Sequence, residues 1–288
     1  MDELYAFMDR YIREEFDEEK ILKRSSRGTI SRIRHKGSHQ RYVCRRYSGS
    51  VQIYEHLLGI KSHYLPQIFE VAQENSAVIS GADPENPAGK TSMKGRETDP
   101  AYPGGTVWAD AAGTSDGKKR ENSIVLEEYI LGDTLAMLLQ SGPLSAGKVK
   151  DIALQICRGL HVLHSLGWIH RDIKPENVMI RGDGAVLIDF DAARYCHSGK
   201  NAAGESNRNQ DTRILGTVGY APPEQYGISE TDYRADIYAM GVLMNEMLTG
   251  EHPSQTLAGG RWGRIISRCT MIQPDRRYNS VEELMEAL

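Results

Sequence analysis

The chain has no excess of basic residues, no long apolar run and few cysteines. Lysine and arginine number 35 against 39 aspartates and glutamates, so the formal net charge is −4, which argues against a general nucleic-acid-binding protein. No stretch of about 18 apolar residues is present, as a membrane-spanning helix would need. The four cysteines lie far apart, at Cys44, Cys157, Cys196 and Cys269. This spacing favours neither a disulfide framework nor a zinc site, so we expect a cytoplasmic protein.

Large apolar residues are scarce between residues 80 and 122, where seven glycines and four prolines occur. Such a composition cannot bury enough apolar surface to offset the entropy lost on ordering. We therefore predict that residues 80–122 form a mobile insertion. Over its 288 residues the chain is 40% hydrophobic and 26% charged, which is typical of a globular protein of one large or two modest domains.

Hydrophobic periodicity predicts short strands in the first part of the chain and helices in the second. Helical spacing follows Ser145, a suitable N-cap, and Gly167 can end that helix. Further predicted elements are strands at 40–47 and 68–71, a hairpin at 178–188, a helix at 234–248, and a helix at 51–58 with Val51, Tyr54 and Leu58 on one face. Strands followed by helices predict two lobes with a cleft between them.

One run of eight residues carries the strongest functional signal. His170-Arg171-Asp172-Ile173-Lys174-Pro175-Glu176-Asn177 follows the long predicted helix, and the hairpin after it leads to Asp189-Phe190-Asp191. With these motifs the sequence resembles the eukaryotic-type, or Hanks-type, serine/threonine protein kinase family in its bacterial form. The resemblance covers nearly the whole chain, apart from the insertion and about the first dozen residues. It implies an α+β fold, with a small antiparallel β lobe bearing one helix and a larger, mostly α-helical lobe.

Phosphoryl transfer depends chiefly on positioning and charge neutralisation, and the resemblance assigns these tasks to the motifs. Asp172 is implied to accept a proton from the substrate hydroxyl or to orient it, and Lys174 to reach the transferring phosphate. Asn177 and Asp189 are implied to bind Mg²⁺. A lysine two residues after the aspartate resembles the serine/threonine branch of the family rather than the tyrosine branch.

A second set of motifs resembles the platform that kinases build for protein substrates. Thr217, within residues 216–224, is implied to contact Asp172 and Lys174. Glu224 is implied to pair with Arg277. Asp236 matches the buried helix aspartate that braces the catalytic loop through its backbone.

The segment between residues 191 and 216 is polar and is implied to be the activation segment. Its candidate phosphorylation sites are Tyr195, Ser198, Ser206 and Thr212. Among them we predict Thr212, because it lies five residues before Thr217, close to where related kinases carry activating threonines. Arg171, beside Asp172, would receive the phosphate.

The phosphate-binding part of the small lobe departs from the family pattern. Residues 23–30 fall where the family has its phosphate loop, but of the three loop glycines only Gly28 is present, with Lys23 and Ser25 in place of the other two. Arg45 stands where a strand lysine belongs. The resemblance implies that Gly28 and Arg45 contact ATP and that Glu55, on the short helix, pairs with Arg45. An arginine suits bidentate contacts with phosphates and carboxylates. The alternative is that Arg45 is an exposed strand charge.

The remaining ATP contacts are implied at the hinge and above and below the base. Glu127 falls at the position that gates the back of the nucleotide pocket. Backbone groups of Glu128 and Ile130 would meet the adenine edge. The side chains that would enclose the adenine faces are those of Ile30, Val43 and Met179. Asp191 replaces the glycine that usually follows Asp-Phe, and it adds a carboxylate near the metal.

The motifs and the family resemblance together imply a Mg²⁺- and ATP-dependent serine/threonine protein kinase that phosphorylates protein substrates or itself. The N-terminal lobe is predicted at residues 1–127, and the hinge with the C-terminal lobe at 128–288. A pseudokinase that binds nucleotide or protein as a scaffold is the alternative, favoured by Arg45, Asp191 and the degenerate glycine loop. A small-molecule phosphotransferase is a third hypothesis, against which the platform motifs argue.

Overall fold

The structure is a computed structural model that describes residues 2–25, 28–48, 51–74, 122–196, 219–226 and 231–288. A β-sheet lobe and a helical lobe confirm the predicted two-lobed, α+β class. The predicted insertion lies outside the described residues except for Asn122, which is the first residue of a strand. Within the described ranges, no helix is long and apolar enough to cross a membrane.

The small lobe contains one antiparallel sheet of five strands in the order β1-β2-β3-β5-β4. These strands are β1 (Phe16–Ser25), β2 (Gly28–His35), β3 (Arg41–Ser48), β4 (Ile68–Gln73) and β5 (Asn122–Glu128). Gly28, the remaining glycine of the predicted phosphate loop, begins β2 and pairs with Ser25 at the end of β1. Gly28 has a φ of +154°, and a Cβ atom there would lie 2.0 Å from the carbonyl oxygen of Arg46. The close pairing of β2 with β3 therefore requires a glycine at this position.

The two faces of this sheet pack against different helices, because successive side chains of a strand alternate between faces. On β5, Ile124 and Leu126 pack with Met8 and Ile12 of helix α1 (Asp2–Glu15). The intervening Val125 belongs to the core shared by helix α2 (Gln52–Leu57) and the helical lobe.

The same alternation determines where the charged residues of the sheet lie. Cys44 of β3 packs on the α1 side, so its neighbours Val43 and Arg45 lie on the opposite face. On β5, Glu127 shares the face of Val125. Because Val43 pairs with Glu127 and Arg45 with Val125, Arg45 and Glu127 are diagonal neighbours on the face that looks toward the helical lobe.

The large lobe is mainly helical, with α3 (Leu135–Leu139), α4 (Ala146–Ser165), α5 (Arg234–Thr249), α6 (Gly260–Cys269) and α7 (Val281–Ala287). Its short strands are β6 (Asp133–Thr134), β7 (Trp168–Ile169), β8 (Val178–Arg181), β9 (Gly184–Leu187) and β10 (Arg194–Tyr195). Ser145 caps α4 by accepting a hydrogen bond from the Lys148 N–H. Gly250 ends α5 with a φ of +76°. The predicted long helices, the β8–β9 hairpin and the strands in the small lobe are thereby confirmed.

Two predictions about the small lobe were wrong. Leu58 does not belong to the buried face of the short helix, because the chain becomes extended after Leu57 and leaves Leu58 46% exposed. The lobe also carries a second helix, α1, that the sequence reasoning missed. Its buried Met8 and Ile12 are one helical turn apart, a spacing that could have indicated a helix among its many charges.

Candidate active site

The loop between β7 and β8 brings together the three residues predicted to perform the chemistry. The Asp172 Oδ2 atom lies 2.8 Å from the Lys174 Nζ atom and accepts a hydrogen bond of 2.9 Å from the Asn177 side-chain amide. The same amide also donates to the backbone carbonyl of Asp172, at 2.8 Å. Residues Pro175–Asn177 form one turn of 3-10 helix, which places Asn177 back beside Asp172.

Asp236 braces this loop through the loop's backbone N–H groups, as predicted. Its side chain is fully buried, and its two oxygens accept the backbone N–H groups of His170 and Arg171, each at 2.9 Å. A ring nitrogen of His164 lies 2.8 Å from Asp236 Oδ2. Burial alone would raise the pKa of Asp236, but these hydrogen bonds and the nearby histidines hold it below its ordinary value. The carboxylate therefore fixes the loop in its charged form.

Asp189 follows strand β9 and is held by two cations. Its Oδ1 lies 3.2 Å from Nη1 of Arg45, and its Oδ2 lies 3.1 Å from Nζ of Lys23. Burial would raise the pKa of Asp189, but the charges of Arg45 and Lys23 outweigh this effect and hold the pKa well below its ordinary value. Asp189 also has a φ of +66°, an uncommon conformation for a residue other than glycine that often marks a functional site.

Asp191 joins the same cluster. Its Oδ1 lies 3.2 Å from Arg45 Nη1, and its Oδ2 lies 3.8 Å from Lys23 Nζ. Burial and the neighbouring Asp189 carboxylate raise the pKa of Asp191 above its ordinary value. The replacement of glycine by aspartate thus places a second acidic group directly beside the predicted metal ligand.

The predicted ion pair between Arg45 and Glu55 is wrong. The Glu55 side chain is exposed, whereas the Arg45 guanidinium is buried and its Nε donates to Glu127 Oε1 at 2.7 Å. The reason lies in α2, whose inward face carries Tyr54 instead of a carboxylate: the guanidinium lies 5.8 Å from the centroid of the Tyr54 ring. The burial of Arg45 also excludes the alternative that it is an exposed strand charge.

Tyr54 and Lys23 contact the acidic cluster in ways that the sequence reasoning did not foresee. The Tyr54 hydroxyl donates to Asp191 Oδ1 at 3.4 Å. Lys23 extends from β1, across the cleft, to both aspartates. Only the family position of Lys23, in place of a loop glycine, could have indicated this contact.

The residues predicted to contact adenine lie on β2, β3 and β8 and at the end of β5 or just after it. Val43 and Ile130 are buried, and Ile30 and Met179 are partly buried. The Glu128 side chain makes two polar contacts: its Oε1 lies 2.6 Å from Arg181 Nη1, and its Oε2 accepts a hydrogen bond from the Gln67 N–H at 3.2 Å. These contacts hold the Glu128 side chain in place at the hinge. The contact of the Glu128 and Ile130 backbone groups with adenine stays a prediction.

The platform segment is described only in part. Thr217 and the candidate phosphorylation sites Ser198, Ser206 and Thr212 lie outside the described residues. Glu224 forms the predicted pair with Arg277, through two contacts of 2.5 and 3.0 Å between side chains that are almost fully buried.

A sequence model of the family described as protein kinase domain matches residues 114–286, which is more than half of the chain. The chain belongs to the protein kinase domain family. This kinase domain is 34% identical over 183 residues to the serine/threonine-protein kinase PknA of Nostoc sp., an alignment that spans 57% of the chain and 32% of the relative. It is 37% identical over 139 residues to the serine/threonine-protein kinase PknL of Mycobacterium tuberculosis, across 48% of the chain and 33% of the relative.

A third relative, the serine/threonine-protein kinase pkn2 of Myxococcus xanthus, is 37% identical over 141 residues, which cover 48% of the chain and 16% of the relative. The chain thus spans about a third or less of the length of these curated relatives.

The kinase family implies ATP and a divalent metal ion, and the residues present fit both. Asn177 donates through its nitrogen to Asp172, so that hydrogen bond does not use its amide oxygen, and the Asp189 carboxylate, which contacts Arg45 and Lys23, is the second oxygen donor. In the described ranges, no group of three or more histidine, cysteine or acidic side chains could hold a metal alone. Such an oxygen donor set suits a hard cation that takes its remaining ligands from water and nucleotide phosphates.

Proposed function

We propose that this domain transfers the γ-phosphate of ATP to serine and threonine hydroxyls of protein substrates, with Mg²⁺ as the metal. The observation that carries this proposal is the arrangement of Asp172, Lys174 and Asn177 on a loop braced by the buried Asp236. The relatives named serine/threonine-protein kinases support the same activity.

In the proposed reaction the substrate oxygen attacks the γ-phosphorus while the bond from that phosphorus to the β,γ-bridging oxygen breaks, and ADP leaves. The Asp172 carboxylate orients the hydroxyl and takes its proton. Lys174, held 2.8 Å from Asp172 Oδ2, offers a positive charge to the phosphate as it moves. When bound, Mg²⁺ neutralises charge on the phosphate oxygens; Asn177 and Asp189 are the residues that would hold it.

For the nucleotide we propose a site between the lobes. Ile30, Val43 and Met179 enclose the adenine faces, and the backbone of Glu128 and Ile130 meets its edge. The phosphates lie toward Gly28, Arg45 and Asp189, as the family resemblance implies. The lobe boundary is proposed between residues 1–127 and 128–288, and the cysteine usage favours a cytoplasmic location.

For the protein substrate we propose the platform of residues 216–224, with Thr217 beside Asp172. The buried pair of Glu224 and Arg277 supports this role, because it anchors the end of that segment to the helical lobe. This feature favours a protein substrate over a small molecule. We propose that the chain also phosphorylates itself, at Thr212.

The scaffold alternative has one specific observation in its favour. Both carboxylate oxygens of Asp189 contact cations, Arg45 at Oδ1 and Lys23 at Oδ2, so a metal ion must share these oxygens with the two cations or displace one of them. The Lys23 side chain is about half exposed, whereas that of Arg45 is 5% exposed. A divalent cation would therefore displace Lys23 more readily than Arg45, and the relatives favour the catalytic reading.

The experiment is incubation of the full chain with ATP, with and without Mg²⁺, followed by mass spectrometry for added phosphate on the chain and on a generic protein. Asp172→Asn is the test variant. Asp183→Asn is the matched control, because Asp183 lies in the exposed β8–β9 turn. We expect phosphate on serine and threonine in the wild type and the control, and at least roughly a hundredfold less in Asp172→Asn. If the wild type binds ATP as tightly as Asp172→Asn does but transfers no phosphate, the result would support the pseudokinase scaffold alternative.

A further inference from the structure

We propose that Glu127, at the back of the nucleotide pocket, is the residue that positions Arg45, in the role that the family resemblance gives to Glu55. The proposal rests on the proposed function, since it concerns how this site binds ATP. It assigns a partner to a charged residue whose presence at this position the sequence alone does not explain.

The first support is the contact itself. Arg45 Nε and Glu127 Oε1 are 2.7 Å apart, and each side chain is only 5% exposed. A buried charge-assisted hydrogen bond of this geometry is far stronger than a surface ion pair. Burial raises the pKa of Glu127, and the charge of Arg45 opposes that effect. Each side chain therefore needs the other in order to stay buried and charged.

The second support is that one guanidinium joins two parts of the site. While Nε of Arg45 binds Glu127, Nη1 lies 3.2 Å from both Asp189 Oδ1 and Asp191 Oδ1. A guanidinium has donors that point in different directions, whereas a lysine ammonium is a single point charge. An arginine at this strand position can thus bind the gate carboxylate and still present donors to the aspartates and to a phosphate.

The third support is that the helix cannot provide the carboxylate. Tyr54 fills the inward face of α2 and is 1% exposed, while the next residue, Glu55, points to solvent. Successive helix residues point about 100° apart, so Glu55 could reach Arg45 only if Tyr54 left the core. The sheet supplies the carboxylate instead, because Glu127 and Arg45 lie on the same face of adjacent strands.

The test is isothermal titration of the full chain with ATP and Mg²⁺, together with steady-state kinetics. The variants are Glu127→Gln, Arg45→Ala, the double variant, and Glu55→Ala as the matched control. We expect Glu127→Gln to weaken ATP binding roughly tenfold, as the loss of a charged hydrogen bond would, with the KM for a protein substrate unchanged. Glu55→Ala should bind ATP within about twofold of the wild type, a difference of less than 0.5 kcal/mol.

The double variant separates positioning from a merely structural role. If Glu127 acts through Arg45, the double variant binds ATP as weakly as Arg45→Ala alone, because the two losses are not additive. Should Glu127→Gln fail to fold, Glu127→Asp keeps the charge but shortens the side chain by one methylene; we expect it to fold and to bind ATP severalfold more weakly.

Two results would overturn the proposal: a lower melting temperature in the Glu127 variants with unchanged ATP affinity, or a loss of ATP affinity in Glu55→Ala equal to that in Glu127→Gln. If the wild type binds ATP without transferring phosphate, the proposed activity fails while the binding cycle still decides the role of Glu127. If the wild type binds no nucleotide, both proposals are overturned.

Discussion

Among single residues, Arg45 is the one on which the contacts of the site converge. It touches Glu127, Asp189, Asp191 and the ring of Tyr54. We predict that Arg45→Ala weakens ATP binding by roughly tenfold to a hundredfold, because a charge-assisted contact worth about 1.5–3 kcal/mol is lost. Arg45→Lys should retain measurable activity as a point charge. Titration of each variant with ATP measures the effect.

The control for these variants is the next residue of the same strand. Arg46 points to the opposite face of the sheet, where it pairs with Asp9 of α1. Arg46→Ala should leave the ATP affinity unchanged. Equal affinities for Arg45→Ala and the wild type would mean that Arg45 does not face the nucleotide, and Lys23 would then be the next residue to test.

Asp236 gives a prediction about pH. Its folded-state pKa is held below its ordinary value, so its contribution to stability is present above the unfolded pKa of about 3.9 and is lost as the pH falls through the folded pKa. We predict that Asp236→Asn lowers the free energy of unfolding by about 3 kcal/mol at pH 7. The difference from wild type should shrink below about pH 4. Urea unfolding at several pH values measures it.

Asp232→Asn is the comparison for that experiment, because Asp232 is 39% exposed on its side chain and its ion pair is with Arg234, two residues on. Its loss should stay below about 1 kcal/mol at neutral pH. A difference between wild type and Asp236→Asn that grows on acidification would contradict the assignment of Asp236 as a charged brace.

Among the elements, helix α1 is the one that the sequence reasoning missed, and it covers an apolar face of the sheet. Ile12 is 5% exposed, whereas Leu4 on the same helix is 47% exposed. We predict that Ile12→Ala lowers the free energy of unfolding by about 2–4 kcal/mol through lost burial and the cavity that remains. Leu4→Ala should cost less than about 1 kcal/mol. Chemical denaturation of both variants compares them, and equal losses would show that α1 does not pack as described.

The features that could be predicted from the sequence are those set by residues close together in the chain. The end signals of α4, the cap at Ser145 and the stop at Gly167, are local, and they predicted that helix well. The catalytic loop was predicted because its residues form one short run. The partner of Arg45 could not be predicted in this way, because Glu127 lies 82 residues along the chain and meets Arg45 only through the pairing register of β3 and β5.

For the whole molecule, the question is how much the long stretch between β4 and β5 contributes to thermal stability. Gln73 pairs with Ser123, and the Glu74 N–H donates to the Asn122 carbonyl at 2.8 Å. The two ends of the stretch are therefore adjacent. We predict that replacing residues 80–121 with a short Gly/Ser turn leaves the melting temperature within a few degrees, because loop length changes stability only slowly.

Asn122 should be kept in that deletion, since it belongs to β5. Thermal unfolding followed by circular dichroism makes the comparison. A fall in melting temperature well beyond a few degrees would show that the stretch contributes packing to the sheet lobe.

The proposed activity depends most directly on Asp172, which is proposed to take the substrate proton or to orient the substrate hydroxyl in phosphoryl transfer. The most direct measurement is the initial rate of phosphate incorporation into serine and threonine at saturating ATP and Mg²⁺, for the wild type and Asp172→Asn. We expect incorporation by the wild type at a rate at least roughly a hundredfold above that of the variant. Equal rates in the two proteins, both with ATP bound, would contradict this role of Asp172.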